Sequence, residues 1–329
     1  MTPRLQISDL TTTFRGHSPI RAVRGVSLSV DAGETLVLLG ESGSGKSVTA
    51  RSVLRLYGSA AACTGSVTLD GEDLLTMPEK RMRTLRGRRL GLVPQDPTAA
   101  LDPLRSIGSQ LAEVLRAHRL TRTRAGTRAR CEELLTLVGI PDVPQVLASR
   151  PHQLSGGMRQ RAVIAIAVAG EPDVLIADEP TTALDVTVQA QVLSLFTSLQ
   201  RRMGMALLMV THDVGVAEEL DGMVAVMYAG RIAESGSARD ILTHPQHPYT
   251  AGLLSSLPTP GVPRGRLPVI VGRPPLTGEH SAGCAFAPRC DHAVHSCRHV
   301  EPELVDTGGR WTACPVVAPV NGERERQPA

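Results

Sequence analysis

The sequence predicts an α/β fold in which a parallel sheet is covered by crossover helices. Three short apolar runs, residues 35–39, 174–177 and 206–210, have the length and composition of buried strands, and helical patterns separate them. Residues 1–35 alternate apolar and polar residues, which favours antiparallel strands with one solvated face. Residues 97–160 are rich in Leu, Ala and Arg at helical spacing and predict a helical subdomain.

Composition and charge are those of an ordinary globular protein. The 329 residues are 42% hydrophobic and 20% charged, with a formal net charge of +3. Basic residues concentrate at 80–89 and 116–130, where a solvated helix face is favoured over a nucleic-acid patch. Residues 1–10 lack a signal-peptide pattern, and the longest apolar stretch, 162–169, is too short to cross a bilayer. We therefore expect a cytosolic chain that sits at a membrane through partners.

A glycine-rich octapeptide after the first apolar run predicts a phosphate-binding loop. Its glycines let backbone N–H groups turn towards phosphate oxygens, and a helix predicted over 47–56 adds its positive N-terminal end. Lys46 is one of only two lysines among 35 basic residues, so a compact ammonium here is informative. We expect Lys46 to reach the β- and γ-phosphates and Ser47 to ligate Mg²⁺. The loop consists of Gly40, Glu41, Ser42, Gly43, Ser44, Gly45, Lys46 and Ser47.

Two further motifs suit nucleotide chemistry. The run 174–177 ends in Asp178 and Glu179, which point to opposite sides of a strand because they are adjacent. Asp178 can then serve Mg²⁺ while Glu179 polarises the water that attacks the γ-phosphate. Ser155, Gly156 and Gly157 precede a helix predicted from about residue 159 and form a second anion site. A single ATPase site does not need two anion-binding turns. This turn is therefore predicted to contact nucleotide that is bound to another subunit.

Six motifs in this order resemble the nucleotide-binding domain of ABC transporters, over about residues 1–245. The resemblance implies a P-loop ABC-type fold with a RecA-like core, an antiparallel β subdomain and a helical subdomain at about 97–160. It also implies a second, small Cys-rich domain over 246–329. The motifs are the loop 40–47, Gln95, the turn 154–158, Asp178-Glu179, the turn 183–185 and His212.

The resemblance assigns roles to these residues. It implies that Gln95 senses Mg²⁺ or the attacking water, and that the turn 155–157 contacts ATP on the opposing subunit. Asp185 would cross the dimer interface, and His212 would contact the γ-phosphate. Catalysis would thus fall to Glu179, His212 and Gln95.

Two positions fit the family pattern less closely. Phe14 is the candidate for stacking on adenine, with an ordinary core role as its alternative. Met158 ends the signature turn where the family usually has Gln. It leaves the serine and glycine contacts in place, so an inactive half-site is not implied.

Longer strings narrow the resemblance to the dipeptide/oligopeptide importer ATPases, over almost the whole chain. That family implies two different ATPase subunits beneath two permeases at the cytoplasmic face of the cell membrane, with an external binding protein delivering the peptide. Nickel, glycosides and other small solutes are alternative cargoes. A soluble ABC ATPase acting on ribosomes or DNA is a remote alternative, and nucleic acid is not an expected partner. The strings are residues 22–26, 40–47, 151–158, 177–186, 247–250 and 283–290.

Four of the six cysteines lie in the tail, beyond a proline-rich stretch that starts after a predicted boundary near residue 245. Their C-x5-C-x6-C-x16-C spacing lacks the C-x2-C pairs typical of zinc. The resemblance implies a [4Fe–4S] cluster, with zinc, including a mixed Cys/His zinc site, and reduced thiols as alternatives. Cys63 and Cys131 are predicted to be small buried residues. The candidate ligands are Cys284, Cys290, Cys297 and Cys314.

Overall fold

The structure, a computed structural model, describes residues 3–182, 184–256, 269–279 and 282–316. The chain divides into two compact units, and each unit combines segments that are distant in sequence. The first unit takes its described residues from 1–6, 29–35 and 67–210, and the second from 7–28, 36–66 and 211–329. The described residues do not include residues 257–268 of the proline-rich stretch or Ala183 of the turn 183–185.

Parallel strands organise the first unit, in the order β8-β7-β6. All residues of β7 and β8 are buried, which explains why both strands are continuous apolar runs. The 18-residue helix α8 (Val186–Met203) connects them, so the predicted parallel arrangement with crossover helices is confirmed. The strands are β6 (Leu90–Val93), β7 (Val174–Asp178) and β8 (Ala206–Thr211).

Helices fill much of the first unit and confirm the helical character predicted for residues 97–160. Four of these helices pack together, and Ile107, Leu111, Leu135 and Ile164 are fully buried residues on three of them. Each such side chain contributes roughly 1.5–3 kcal/mol by leaving water. The helices are α2 (Glu79–Leu85), α3 (Pro97–Ala100), α4 (Ile107–Ala117), α5 (Arg124–Leu137), α6 (Val143–Ala148), α7 (Gly156–Val168) and α8 (Val186–Met203).

The second unit contains strands in the order β11-β12-β10-β9-β3. β3 and β9 run parallel, and β9, β10, β12 and β11 are joined by antiparallel pairs. Strands that follow residue 245 thus pair with strands that precede it. The domain boundary near residue 245 stays a prediction. The strands are β3 (Thr35–Leu39), β9 (Met223–Tyr228), β10 (Arg231–Ser237), β11 (Val305–Asp306) and β12 (Trp311–Thr312).

The helices of the second unit are short. The first of them ends at Val53 rather than at the predicted residue 56, because Arg55 takes a left-handed conformation with φ of 52°. The helices are α1 (Lys46–Val53), α9 (Val214–Leu220), α10 (Ala238–Thr243) and α11 (Pro248–Ser255). Among the described residues, no helix combines the length and apolar character needed to span a bilayer.

A four-stranded sheet in the order β2-β1-β4-β5 accounts for the alternating pattern of the N-terminal region. Along β1, Leu5 and Ile7 are buried while Gln6 between them is exposed, as expected for a half-solvated strand. β4 and β5 pair antiparallel. The strands are β1 (Leu5–Phe14), β2 (Ile20–Val30), β4 (Ala61–Leu69) and β5 (Glu72–Asp73).

Several arginines of the two basic clusters form ion pairs with neighbouring acids, and the preference for a solvated helix face over a nucleic-acid patch stays a prediction. In the first cluster, Arg86 binds Glu79 with 2.6 Å between Nη1 and Oε1. In the second, Arg130 binds both Glu133 and Glu171. Exposed pairs of this kind contribute little stability, about 0–1 kcal/mol each.

The two cysteines outside the tail differ in burial. Cys131 is buried in α5, as predicted. For Cys63 the prediction is wrong: it is half-buried on β4, with its Sγ 3.7 Å from the Thr12 hydroxyl. The sequence offers no signal for this difference, because both residues lie in mixed polar and apolar surroundings.

Candidate functional site

The phosphate-binding loop, residues 40–47, connects β3 to α1 in a backbone form that only glycine accommodates at two positions. Gly40 has φ of +155°, and a Cβ there would lie 2.2 Å from the Met227 carbonyl oxygen. Gly45 has φ of +103°, and its Cβ would lie 2.6 Å from the Ala22 carbonyl oxygen. The Gly230 N–H also donates to the Ser44 carbonyl at 2.8 Å. Close backbone packing therefore fixes the loop.

Buried polar groups in this loop suit an anionic ligand. Lys46 is 4% exposed, and its ammonium donates to the carbonyl oxygens of Gly40 at 2.8 Å and Glu41 at 2.9 Å. Ser44 is 5% exposed, and its hydroxyl has no hydrogen-bond partner among the described residues. Ser47 follows in the first turn of α1 and is half-buried. An ammonium, an unsatisfied hydroxyl and a helix N-terminus together fit the phosphates of a nucleotide.

Gln95 and Glu179 meet in the first unit, at the carboxyl ends of adjacent parallel strands. The Glu179 carboxylate accepts hydrogen bonds from Gln95 Nε2 at 3.0 Å and from Thr182 Oγ1 at 3.1 Å. Asp178, the last residue of β7, is fully buried. These oxygen groups have the chemistry that Mg²⁺ prefers and that activation of a water molecule needs.

The backbone at Glu179 is unusual. Its φ is 49°, in the left-handed region that residues with a Cβ seldom occupy, and its N–H donates to the Val210 carbonyl at 2.9 Å. Such conformations cost about 1–3 kcal/mol and are found at functional sites more often than elsewhere. The strand end thus turns sharply and presents the Glu179 carboxylate to Gln95.

The signature turn, residues 154–158, is held by local contacts and opens to solvent at its second and third residues. Ser155 and Gly156 are exposed, and Ser155 caps α7 by accepting a hydrogen bond from the Met158 N–H at 3.3 Å. The helix therefore begins at Gly156, earlier than predicted, because the serine cap starts it. Gly157 lies close to α8, where a Cβ would approach Val188 Cγ1 to 3.0 Å. Met158 contributes its backbone N–H to the cap, which needs no polar side chain.

Three further predicted site residues lie at the ends of helices or strands. Asp185 is exposed and caps α8, accepting a hydrogen bond from the Val188 N–H at 3.0 Å. His212 is exposed directly after β8. Phe14 ends β1 and is half-buried in an edge-to-face contact with Tyr57, at 4.9 Å between ring centroids. The roles assigned to these three stay predictions.

The predicted site residues are distributed over both units. The loop 40–47, Phe14 and His212 belong to the second unit. Gln95, the signature turn, Asp178-Glu179 and Asp185 belong to the first.

The tail cysteines are neighbours but do not form a metal site in the described structure. Burial raises the pKa of the Cys284 and Cys290 thiols, and the neighbouring Cys297 and Cys314 raise it further. Within the described ranges, no three or more His, Cys, Asp or Glu side chains are arranged to hold a metal ion. The predicted [4Fe–4S] or zinc site is therefore not supported by this geometry.

Contacts from the far end of the chain to the phosphate-binding loop were not anticipated from the sequence. The Glu41 N–H donates to the Tyr249 hydroxyl at 2.9 Å. The Glu41 carboxylate binds the guanidinium of Arg289, with 2.9 Å between Oε2 and Nη1. Glu41 and Arg289 are separated by 248 positions, and no local motif marks either as a partner of the other.

Two family profiles match the chain. One, described as ABC transporter, matches residues 23–182, and the other, described as the C-terminal region of the oligopeptide/dipeptide transporter, matches residues 233–297. The chain also resembles a solved dimeric ATP-binding cassette in a post-hydrolysis state with bound ADP and phosphate. That likeness has a TM-score of 0.63 and 28% identity, over 71% of this chain and 99% of the other.

Curated relatives agree with these matches. A Brucella melitensis protein named as a peptide import ATP-binding protein is 46% identical over 315 residues, which is 95% of each chain. The oligopeptide transport ATP-binding protein OppD of Mycobacterium tuberculosis is 46% identical over 308 residues, and the chain spans half of that relative's length. The chain belongs to the ABC transporter family of ATP-binding proteins, in its oligopeptide/dipeptide transporter group.

Proposed function

We propose that this protein is the ATP-hydrolysing subunit of an ABC transporter that imports di- or oligopeptides. The observation that carries the proposal is the Gln95–Glu179 hydrogen bond of 3.0 Å at the end of β7, together with a buried, glycine-dependent phosphate-binding loop. The peptide cargo is supported by the names of the curated relatives and by the C-terminal family match.

The chemistry divides among the residues as follows. The loop 40–47 binds the phosphates of ATP through its backbone N–H groups and Lys46. Ser47, Gln95 and Asp178 would hold Mg²⁺ through their oxygen atoms, and the bound ion would supply positive charge that stabilises the phosphates. Glu179 takes the proton of the attacking water.

Three residues would complete the proposed ATP site. Gln95 orients the Glu179 carboxylate through their hydrogen bond. His212 contacts the γ-phosphate, and Phe14 stacks on adenine.

The exposed signature turn supports a composite site shared by two subunits. Ser155 and Gly156 are open to solvent, and Asp185 lies at the exposed start of α8. We assign the contacts of residues 155–157 and Asp185 to ATP and loop residues of a partner ATPase, in a heterodimer beneath two permeases. Closure of that pair around ATP moves the permeases, and hydrolysis releases it. The chain then works at the cytoplasmic face of the cell membrane as a peripheral subunit, supplied through an external binding protein.

Metal in the tail is a separate proposal on which no step of ATP hydrolysis depends. The match to the transporter C-terminal region supports it. Iron and zinc analysis of anaerobically purified protein separates the alternatives. About four iron atoms per chain identify a [4Fe–4S] cluster, and about one zinc ion identifies a zinc site. If neither iron nor zinc is found, the four cysteines are reduced thiols.

Glu179→Gln tests the hydrolytic assignment. The substitution keeps the size and the hydrogen bond to Gln95 but removes the base, so turnover should fall by about 100-fold or more while ATP affinity stays within about twofold. Phosphate release and equilibrium ATP binding measure the two effects. As a matched control, Glu133→Gln changes an exposed acid of α5 and should alter neither quantity. Normal turnover in Glu179→Gln would remove Glu179 from the mechanism.

The cargo is tested by uptake. Vesicles that contain the chain with the permeases and binding protein with which it assembles should take up labelled di- or oligopeptides in an ATP-dependent manner. If the vesicles take up nickel or glycosides and not peptides, the ATPase assignment stands and the proposed peptide cargo is wrong.

A further inference from the structure

Glu41, the second residue of the phosphate-binding loop, is held at both its backbone and its side chain by residues from the C-terminal region. Its N–H donates to the Tyr249 hydroxyl at 2.9 Å. Its carboxylate receives two hydrogen bonds from Arg289, at 2.9 Å from Nη1 and 3.3 Å from Nη2. All three residues belong to the second unit, and Tyr249 and Arg289 lie within the segment that matches the transporter C-terminal profile.

Arg289 is built into its position and is not a mobile surface charge. Its side chain is 6% exposed, and its Nε donates to the Val271 carbonyl at 3.2 Å. The guanidinium carbon lies 5.9 Å from the ring centroids of both Tyr228 and Phe286. Burial opposes its charge, but the hydrogen bonds to Glu41 and Tyr228 and the negative charge of Glu41 outweigh burial and raise the pKa of the guanidinium. A two-pronged pair with a carboxylate in such surroundings is rigid and geometrically specific.

Tyr249 is equally constrained. It is fully buried and packs against Tyr228 and Phe286, with ring centroids 4.5 Å and 5.4 Å away. Burial raises the pKa of its hydroxyl, so the group stays neutral at physiological pH. Its oxygen is therefore a fixed acceptor for the Glu41 N–H.

We propose that Arg289 and Tyr249 are positioning residues for ATP binding, through which the C-terminal region holds the phosphate-binding loop in its binding conformation. This inference rests on the proposed role of residues 40–47 in binding ATP. The loop uses left-handed glycine backbone, and a free glycine-rich segment visits many conformations. Anchoring Glu41 at two points reduces the conformational entropy that ATP binding must otherwise remove. Both residues act on the loop through Glu41, so we expect the effect to fall on affinity more than on the chemical step.

The central experiment is a double-mutant cycle on the full chain with Mg-ATP as ligand. Arg289→Met should raise the Kd and the KM for ATP about tenfold, with kcat at saturating ATP within about twofold of wild type, and Glu41→Gln should raise the Kd by a similar factor. The double variant should bind ATP as tightly as either single variant, because each single substitution already removes the interaction between the two side chains. Arg289→Lys keeps the charge but loses the paired geometry, so an intermediate effect of about threefold is expected.

Two controls separate loop positioning from general loosening of the C-terminal region. Glu301→Gln weakens the ion pairs that Glu301 makes with Arg24 and Arg231 but leaves the ion pair between Glu41 and Arg289 in place. Arg273→Met removes an exposed pair with Glu279. Both variants should bind ATP like wild type even where their melting temperatures fall as far as that of Arg289→Met.

Failure of the inference and failure of the proposed function give different results. If Lys46→Ala still binds ATP normally, the loop is not the ATP site and the proposed function itself fails. If Lys46→Ala loses binding while Arg289→Met binds like wild type, only the positioning role fails. Equal weakening of ATP binding in Arg289→Met and Glu301→Gln, or additive losses in the cycle, would also overturn the positioning role.

Discussion

Two serine- and glycine-rich loops in this protein each precede a helix, yet the protein treats them in opposite ways. The phosphate-binding loop, residues 40–47, is enclosed by backbone from Ala22 and Met227 and anchored by Tyr249 and Arg289. The signature turn, residues 154–158, relies on its own Ser155 cap and exposes that residue to solvent.

The difference shows how similar sequences serve two purposes. A loop that must bind phosphate within its own subunit gains from rigidity, since preorganisation lowers the entropy lost on binding. A turn that must meet nucleotide on a partner needs its hydroxyl and N–H groups accessible. Supports for the first loop therefore come from distant segments, while those of the second come from residues near it in sequence.

The largest expected effect tests the enclosure of the first loop. Gly40→Ala would place a Cβ 2.2 Å from the Met227 carbonyl oxygen, so backbone must move. We expect a loss of more than about 3 kcal/mol in the free energy of unfolding, together with loss of ATP binding. Gly43→Ala is the matched control, because its φ is +80° but nothing lies within 4 Å. That control should cost only about 1–2 kcal/mol in urea unfolding. Equal losses in both variants would contradict the packing argument.

The next largest expected effect is the pH dependence of stability at His247, which contacts the loop-anchoring residue Tyr249. His247 Nδ1 accepts a hydrogen bond from the Tyr249 N–H at 3.0 Å, and burial lowers the pKa of His247 to about 4. As pH falls below about 6.5, the unfolded chain binds a proton before the folded chain does. Stability is therefore full above about pH 6.5 and is progressively lost until about pH 4. The expected loss is about 3 kcal/mol, since each pH unit contributes about 1.4 kcal/mol.

Denaturant titrations from pH 7 to pH 4 measure this dependence. His247→Gln should flatten the slope in that window, while His244→Gln, at an exposed position, should retain it. An unchanged slope in His247→Gln would show that another group is responsible.

The smallest effect on stability belongs to the signature turn. Ser155→Ala removes one helix cap and should lower the free energy of unfolding by about 1 kcal/mol. ATP binding by the single subunit should stay within about twofold, whereas turnover of the paired subunits should fall about 100-fold. Ser106→Ala removes a similar cap, with the same 3.3 Å distance, from α4. It should match the stability loss without the loss of turnover. Weaker ATP binding by Ser155→Ala alone would contradict the division between the two loops.

Much of the local structure was predictable because local sequence encodes it. Consecutive buried residues define β7 and β8, and the run of glycines in residues 40–47 marks the backbone that the loop adopts. Helix ends were less certain, since the start of α7 depends on the Ser155 cap and the end of α1 on a left-handed residue at Arg55. Burial of single cysteines was not predictable, because Cys63 and Cys131 differ only in what the fold packs against them.

The sequence by itself determined the family, the strand pattern and the identity of the candidate site residues, because each motif is a short run of residues with its own chemistry. Only the tertiary structure decided that one loop is enclosed and the other exposed. It alone placed Arg289 and Tyr249 on Glu41, more than 200 positions away. Such pairs depend on how distant segments pack, and packing is a property of the folded chain that no local pattern records.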